Sequence, residues 1–266
     1  MTSHPIPGTG RPHPRSHWRL QWVPTLRMVL MLALGAMLVV KVFSGSVLLY
    51  VNGVYTRLIF AAGLGLLIVG YVAGLEWIVR RDARPARHLH FGDGEHVHAT
   101  GRVEALGYAL LAVPLLLGLL VPARPLGAAA LQARGGNAGA ASSKLRTLGE
   151  LGDDTTRWTL LDWTAALAQT PDVRTLAGKP VSFVGFVAGD APGGGFTVAR
   201  FVIVCCTADG NAVTLPVRGG DVPLRDTWVQ VTGSLETDMA AGKPTPYIAA
   251  SQVTTVQRPA QPYLYP

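Results

Sequence analysis

The chain has 266 residues, of which 49% are apolar and only 15% are charged, against about 25% charged in an average soluble domain. This balance indicates a protein partly in lipid and excludes disorder as its main state, because disorder requires low hydrophobicity and high charge. The net charge of +7 lies in the first half: residues 1–134 carry 13 Lys and Arg against 5 Asp and Glu, while residues 135–266 carry 10 against 11. Since the half with a globular pattern is neutral, the excess is typical of membrane topology, and we expect no nucleic-acid partner.

Three apolar segments predict three transmembrane helices, at about residues 22–48, 58–76 and 104–123. The second and third contain 18 and 19 consecutive uncharged residues, 58–75 and 105–123, and a membrane span needs about 20 mostly apolar residues. The first contains Lys41, whose ammonium group we expect to extend toward an interface. A cleaved signal peptide is the alternative for this first segment, although its apolar stretch is longer than a typical signal.

Basic residues predict the orientation of the membrane domain, residues 1–123, because cytoplasmic loops carry an excess of Lys and Arg. Four arginines lie before or within the first turns of the first span and five lie between the second and third, whereas Arg57 alone separates the first span from the second. We therefore expect a multi-pass plasma-membrane protein embedded in the lipid bilayer. The N-terminus and the loop 77–103 are predicted to be cytoplasmic, and the chain from about residue 124 onward extracytoplasmic.

Residues 124–157 are rich in Gly, Ala and Ser, and we interpret them as a flexible linker ahead of a β-rich domain, residues 158–266. An amphipathic helix is predicted at 158–169, capped by Thr155 or Thr156. Strand-like runs follow between turn residues at 180–187, 196–207, 212–217, 227–235 and 247–256. The predicted fold class is an α+β membrane protein with three transmembrane helices and a small extracytoplasmic β-barrel, for which an OB-like topology is one solution.

Cys205 and Cys206 are adjacent and are the only cysteines of the sequence, so they form no disulfide framework. Neighbouring side chains of an extended strand face opposite sides, so we expect one thiol in the core and the other at a surface. Three interpretations stay open: two small buried hydrophobic residues, a soft-metal or redox site, and a strained vicinal disulfide. Zinc prefers four ligands, which Asp209 or a partner protein would have to help supply.

Four of the seven histidines cluster in the predicted cytoplasmic loop, as His88, His90, His96 and His98, with two carboxylates between them. Imidazole and carboxylate groups suit zinc, nickel or copper, so this loop is either a weak metal site or an ordinary polar loop. No histidine follows residue 98, which excludes a Cys-His pair or a Ser-His-Asp triad in the β-domain. Glycines 193–195 indicate a hairpin turn and not a phosphate loop. We predict that the protein is not an enzyme and expect no cofactor beyond a transition metal such as zinc.

Several residue strings together resemble the YcgQ-like permease-subunit family. The most specific one is Ala199-Arg200-Phe201-Val-Ile-Val-Cys205-Cys206-Thr-Ala-Asp209. Supporting strings are Ser44-Gly45 and Tyr50-Val51, 122–127 (PARPLG), 177–181 (AGKPV), 185–187 (GFV), 226–229 (DTWV) with Gly233, and 262–266 (PYLYP). The resemblance implies a plasma-membrane protein that works with a separate multi-span permease of the YraQ-like type, with a His-rich loop between its second and third spans. It implies no settled substrate.

These features lead to the hypothesis of an accessory subunit of a membrane permease, whose β-domain gates the permease or presents substrate. Arg200, Cys205, Cys206 and Asp209 are expected to line the working face, and the cargo is expected to be a metal ion or another thiol-reactive solute. One alternative is a stand-alone, membrane-anchored protein that binds metal or performs thiol redox chemistry. Another is a scaffold that binds a protein or glycan through an aromatic face around Trp228 and Phe186.

Overall fold

A computed structural model describes residues 22–82, 101–134, 147–240 and 242–266. The α-helices are α1 Trp22–Phe43, α2 Thr56–Asp82, α3 Gly101–Leu120, α4 Ala128–Ala133 and α5 Leu160–Gln169. The strands are β1 Pro180–Asp190, β2 Phe196–Val202, β3 Asn211–Arg218, β4 Trp228–Ala240 and β5 Lys243–Thr255. The chain divides into two compact units, one formed by residues 1–40 and 59–122 and the other by residues 41–58 and 123–266.

Two segments of the described chain are long and apolar enough to cross a membrane, Thr25–Phe43 and Gly53–Val79. α3 contains a shorter apolar segment, Leu106–Leu120, with Pro114 inside the helix. Large apolar side chains are exposed on α2 and α3, which suits helices whose surroundings are lipid tails instead of water. The helical part of the predicted fold class is therefore present, with two helices that meet the length and composition of a span.

α1 ends at Phe43, earlier than the predicted boundary at residue 48. Gly45 has a φ of 69°, in the left-handed region that glycine adopts without a steric penalty. After it, Ser46–Leu49 form a 3₁₀ turn whose Val47 and Leu49 side chains are buried. Lys41 consequently lies in the last turn of α1, where a cation interacts favourably with the carboxyl end of the helix.

Glycines allow α1 to pack closely against its neighbours. A Cβ on Gly35 would lie 2.8 Å from the carbonyl oxygen of Gly63, and one on Gly70 would lie 2.9 Å from the Leu32 side chain. These pairs run in opposite directions along the two helices, so α1 and α2 are antiparallel. Small residues at such crossings let helix backbones approach each other, as is common between membrane helices.

The five strands close into a barrel in the order β1-β2-β3-β5-β4. β3 and β5 pair in parallel, and the other neighbouring strands pair antiparallel. β1 turns into β2 at glycines 193–195, whose φ angles of 82°, 96° and 81° strongly favour glycine. The predicted β-barrel following the helical region is confirmed, and so is the hairpin turn.

One hydrophobic core fills the barrel interior and extends to α5. Alternate residues of each strand face this interior, because successive side chains of a strand point to opposite sides. Phe196, Val213, Val229 and Ile248 are almost completely buried in it, and Trp163 of α5 is fully buried against the same core. The helix therefore closes the barrel core on one side.

α5 begins at Leu160, later than predicted, because Thr159 caps it. Thr159 Oγ1 accepts the Asp162 N–H at 3.3 Å, and the Asp162 carboxylate accepts the Thr159 N–H at 2.8 Å, which is a capping box. The predicted cap Thr155 instead donates its hydroxyl to the Pro180 carbonyl at 2.7 Å. That bond joins the segment before α5 to the first strand.

A second hydrophobic cluster covers the outer wall of the barrel. Phe186, Phe201 and Trp228 come from the strands, Ala128 from α4, and Tyr263 from the C-terminal tail. The two phenylalanine rings stack with their centroids 6.0 Å apart. The cluster therefore ties segments far apart in the sequence to one face of the barrel.

The C-terminal tail extends this outer layer by running alongside β2. The Ile203 N–H donates to the Leu264 carbonyl at 3.0 Å, and the Leu264 N–H donates to the Phe201 carbonyl at 2.8 Å. The Tyr263 hydroxyl donates to the carbonyl of Leu49 and accepts the N–H of Leu126, each at 3.0 Å. Through this one side chain the tail is joined both to the segment 41–58 and to the start of the predicted linker.

The first part of the predicted linker is structured and belongs to the same compact unit as the barrel. The Ala128 N–H, at the start of α4, donates to the Asp226 carboxylate at 2.7 Å. A Cβ on Gly127 would clash with this carboxylate, so glycine permits the close approach. Residues 135–146 of the predicted linker lie outside the described residues.

Candidate thiol site

Residues 204–210, which we call the thiol loop, follow β2 and carry both cysteines. β2 ends at Val202, so the strand predicted to continue to residue 207 is too long. The expectation that the two thiols face opposite sides is wrong for the same reason, because Cys205 Sγ and Cys206 Sγ lie 3.4 Å apart. Leaving the extended conformation brings the two sulfur atoms together.

The Asp209 carboxylate organises the thiol loop. Its Oδ1 accepts the Val204 N–H at 2.9 Å, and its Oδ2 accepts the N–H groups of Cys205 and Cys206 at 2.7 and 3.2 Å. A charged acceptor forms stronger hydrogen bonds than a neutral one. Three consecutive amides are thus satisfied by one side chain instead of a neighbouring strand, and this fixes the backbone of both cysteines.

The two thiols and the carboxylate form a compact donor cluster. One ligand atom from each of Cys205, Cys206 and Asp209 lies within 4.8 Å of the others. Both cysteines are free, with Cys205 exposed and Cys206 half-buried. Solvent therefore reaches the cluster through Cys205. The interpretation of both cysteines as buried hydrophobic residues is wrong for Cys205, which is exposed.

The carboxylate and the neighbouring thiol perturb each other's ionisation. The hydrogen bond to Asp209, followed by the one to Cys206, raises the pKa of the Cys205 thiol from 9.0 to about 12. Burial acts to raise the pKa of Asp209, but hydrogen bonds from the Cys205 thiol and from the three backbone amides outweigh it and lower the pKa of this carboxyl. At neutral pH Cys205 is therefore a protonated thiol and Asp209 a carboxylate.

Residues 50–52, between α1 and α2, hold one side of the thiol loop. The Asn52 N–H donates to the Cys205 carbonyl at 3.0 Å, and its side-chain amide donates to the Val204 carbonyl at 2.9 Å. The Thr207 N–H donates to the Tyr50 carbonyl at 2.8 Å. The loop that carries the thiols is thus bonded directly to the segment that connects the two candidate spans.

Arg134, at the end of α4, holds the other side of the thiol loop. Its guanidinium donates to the Thr207 carbonyl at 2.9 Å and also to the Gly210 carbonyl. The same group lies over the Phe201 ring, 5.9 Å from its centroid. Since arginine presents several donors in a fixed plane, one side chain can bond two carbonyls and pack on a ring.

Arg200 and Trp228 are brought together with the C-terminal tail. Arg200 donates to the carbonyls of Pro262 at 3.1 Å and Gln261 at 2.8 Å, and its guanidinium lies 5.7 Å from the centroid of Trp228. Burial lowers the pKa of Arg200 from its usual value. Trp228 and Phe186 are 9% and 2% exposed, so these aromatic rings pack inside the domain instead of forming an open face. These contacts give Arg200 a structural role in anchoring the tail.

The described donors fit a metal only in part. Thiolates are soft ligands that suit zinc, copper(I) and other thiophilic centres, but a structural zinc site takes four ligands. The Asp209 oxygens already accept three amides, which leaves this carboxylate at most one further position, so the thiols of Cys205 and Cys206 are the main donors of the cluster. The predicted histidine ligands His88, His90, His96 and His98 lie outside the described residues.

Sequence reasoning missed Asn52 and Arg134 as parts of this site. Neither residue belongs to a local motif, and each reaches the thiol loop across a long stretch of chain. Hydropathy marks residues 50–52 merely as a short connection between apolar segments. The string from Arg200 to Asp209 did identify the loop itself, because two adjacent cysteines with a nearby aspartate are an unusual combination.

Comparison with known families finds two matches that together cover most of the chain. Residues 26–137 match the DUF1980 N-terminal domain, and residues 158–266 match the DUF1980 C-terminal domain. The boundary between the matches falls in the predicted linker, and the C-terminal match contains the barrel and the thiol loop. No curated protein and no solved structure matches the chain.

Proposed function

We propose that this chain, which carries both the N-terminal and the C-terminal domain of the DUF1980 family, is an accessory subunit of a membrane permease. In this proposal the helices anchor the protein beside a multi-span permease of the YraQ-like type. The barrel binds a metal ion or another thiol-reactive solute at Cys205 and Cys206 and presents it to the permease. The protein acts by binding and not as an enzyme.

The observation that carries this proposal is the attachment of the thiol loop to the segment between the first two apolar helices. Asn52 bonds to the carbonyls of Val204 and Cys205, and the chain enters α2 only four residues later, at Thr56. A solute that binds the thiols therefore acts on a loop bonded to the entrance of a candidate span. Such a link suits a subunit that signals occupancy to a membrane partner.

The same attachment supports a third membrane crossing. Residues 41–58 and residues 123–266 form one compact unit, so both must lie on the same side of the membrane. A chain that crosses once through α2 must cross again before residue 123 to return to that side. α3, at Gly101–Leu120, lies in the required interval, although its apolar segment is shorter than that of α2.

The distribution of basic residues supports an extracytoplasmic position for this unit. Arginines are concentrated before and at the start of α1, and from the end of α2 to the start of α3, and cytoplasmic loops carry such an excess. The N-terminus and loop 77–103 are then cytoplasmic, and the barrel faces outward from the plasma membrane. The strand order, with β3 and β5 in parallel, supports an OB-like barrel, a fold that commonly presents binding surfaces.

The proposal is tested by identifying the proteins that co-purify with the full-length chain. The affinity tag belongs on the N-terminus, because Tyr263 and Leu264 pack into the barrel domain. Extraction in mild detergent followed by mass spectrometry should recover a multi-span permease in near-stoichiometric amount. A preparation that contains this chain alone, under conditions that preserve other membrane complexes, would overturn the accessory-subunit proposal.

A second measurement separates the role of the thiols from that of the anchor. The double variant Cys205→Ser with Cys206→Ser should keep its abundance in the membrane and its permease partner. It should lose solute uptake or efflux by cells that depend on this system. Asp221→Asn, an exposed carboxylate outside the thiol loop, is the matched control and should behave as the unaltered protein.

A further inference from the structure

We infer that Cys205 and Cys206 together chelate one trivalent, pyramidal thiophilic centre of the arsenite type. This inference deepens the proposed function, on which it rests, by naming the class of solute at the same site. Three features of the thiol loop carry it: the number of free donors, the separation of the sulfur atoms, and the constraint on the backbone between them.

The number of free thiol donors is two. Asp209 Oδ2 accepts two amides and Oδ1 accepts a third, so this carboxylate keeps at most one further acceptor position, on Oδ1. A tetrahedral zinc ion would then have at most three protein ligands of the four that a structural site takes. A pyramidal trivalent centre forms three bonds, so two thiols complete it with one hydroxyl or organic substituent.

The separation of the sulfur atoms is also narrow for a tetrahedral or a linear ion. The Sγ atoms lie 3.4 Å apart, whereas two thiolates on a tetrahedral zinc at bond lengths of about 2.3 Å lie about 3.8 Å apart. A linear centre with the same bond lengths would need about 4.6 Å. Bond angles at a trivalent arsenic or antimony centre are close to a right angle, which brings two bound sulfurs nearer to each other.

The backbone keeps these sulfurs as a pair of free thiols. Adjacent Cα atoms are about 3.8 Å apart, while an unstrained disulfide needs about 4.4–6.8 Å. Asp209 and Asn52 fix the N–H and carbonyl groups of Cys205 from both sides, so the distortion required for a vicinal disulfide is opposed. Cys205 is exposed, which gives an incoming solute a first sulfur to bind.

The binding reaction balances without an oxidant or reductant. Arsenous acid reacts with the two thiols to form two arsenic–sulfur bonds, while two arsenic–oxygen bonds and two sulfur–hydrogen bonds break. Each released hydroxyl leaves as water with a thiol proton, and the third hydroxyl stays on arsenic. Arsenic and sulfur keep their oxidation states. Phenylarsine oxide reacts in the same way and releases one water.

The test measures protection of the thiols in the reduced, detergent-purified full chain. The protein is incubated with one equivalent of arsenite, phenylarsine oxide or zinc chloride, then alkylated with N-ethylmaleimide and examined by intact-mass spectrometry. We expect both arsenicals to block alkylation of both cysteines, and phenylarsine oxide to appear as one adduct per chain. Cys205→Ser and Cys206→Ser should each weaken protection by about tenfold or more, because the second bond of a chelate is intramolecular.

Three outcomes would overturn this inference. Zinc could protect as well as the arsenicals, a single-cysteine variant could bind them as tightly as the unaltered chain, or none of the three probes could protect. Each result concerns the isolated protein and leaves co-purification with a permease as a separate question. An excess of a small dithiol should reverse protection, which distinguishes chelation from irreversible damage to the thiols.

Discussion

The backbone N–H of Asn52 donates to the carbonyl of Cys205 at 3.0 Å, although Asn52 lies between two candidate spans and Cys205 follows the second strand of the barrel. The Asn52 side chain adds a bond to the neighbouring carbonyl of Val204 at 2.9 Å. Two adjacent peptide groups of the thiol loop are thus held by one residue. A displacement of residues 50–52 must therefore shift the backbone on which the thiols are mounted.

Asn52→Ala is expected to loosen the thiol loop. It removes the donor to Val204 and the acceptor that caps Val54, and each lost hydrogen bond should cost about 0.5–1.5 kcal/mol. Hydrogen exchange at the amides of residues 204–210 should accelerate while exchange in β1 and β4 stays unchanged. Asn52→Asp keeps the acceptor and loses the donor, so it should reproduce the effect on the loop. If the amides of residues 204–210 exchanged at the rate of the unaltered protein in both variants, the proposed role of Asn52 in holding the thiol loop would be contradicted.

Asp209→Asn is expected to disorganise both cysteines. The amide nitrogen of the new side chain cannot accept, so at least one of the three backbone N–H groups loses its partner, at a cost of about 1–3 kcal/mol. The midpoint of thermal unfolding should fall, and alkylation of Cys205 at pH 8 should become faster because the carboxylate no longer raises its pKa. Asp221→Asn serves as the control, and equal behaviour of the two variants would argue against the role of Asp209.

The stability of the thiol loop should depend on pH at both ends of the range. Asp209 has a lowered pKa in the folded state, so its contribution is present above the ordinary value of 3.8 and is lost as pH falls through the lowered one. Cys205 has a pKa raised from 9.0 to about 12, so its contribution is present below 9.0 and is lost as pH rises toward 12. Hydrogen exchange corrected for its intrinsic pH dependence should show the loss of loop stability at both low and high pH. Both losses should become smaller in Asp209→Asn, because both pKa shifts depend on this carboxylate.

Gly35→Ala and Gly65→Ala should have opposite effects although both glycines lie in apolar helices. A Cβ on Gly35 would lie 2.8 Å from the carbonyl oxygen of Gly63, whereas nothing lies within 4 Å of a Cβ on Gly65. Gly35→Ala must push α1 from α2, while Gly65→Ala should stabilise its helix by about 0.5–1 kcal/mol. Thermal unfolding in detergent measures both. A stabilised Gly35→Ala would contradict the close packing of these helices.

Cysteine labelling should place residues 54 and 224 on the same side of the membrane. Val54 and Leu224 are 79% and 83% exposed, so each can be replaced by cysteine in a Cys205→Ser, Cys206→Ser background. An impermeant maleimide should label both in intact cells. A cysteine at Phe91, in the loop predicted to be cytoplasmic, should react only after permeabilisation. If positions 224 and 91 were labelled under the same condition, and position 54 under the other, a third crossing would be contradicted.

Hydropathy and turn residues predict the order of helices and strands because they report local preferences. The runs around Phe196, Val213 and Val229 follow the alternation of a half-buried strand, and each lies in a strand of the structure. The alternation of apolar and polar residues does not show where a strand ends if the backbone amides beyond that point bond to a side chain and not to a neighbouring strand. Asp209 makes that substitution, and β2 therefore ends before the cysteines.

The site was predictable to the extent that its donors are adjacent in the sequence. Cys205, Cys206 and Asp209 lie within five consecutive residues, and their ligand atoms lie within 4.8 Å of one another in the structure. Asn52 and Arg134 contribute through contacts across the fold, and a single sequence contains no signal for such pairs. Arg200 shares the same string, but its guanidinium reaches the tail carbonyls of Gln261 and Pro262.

The packing of the C-terminal tail imposes an order on biosynthesis. Tyr263 bonds to the carbonyl of Leu49, and Leu264 pairs with β2 next to the thiol loop. These residues leave the ribosome after all five strands, whereas the segment that contains Leu49 is synthesised early and flanks a candidate membrane span. The thiol loop therefore lacks the neighbouring contacts of the tail until residues 263 and 264 have been synthesised. Ribosome-stalled chains that end before residue 262 should accordingly expose their thiols to alkylation more than the released protein does.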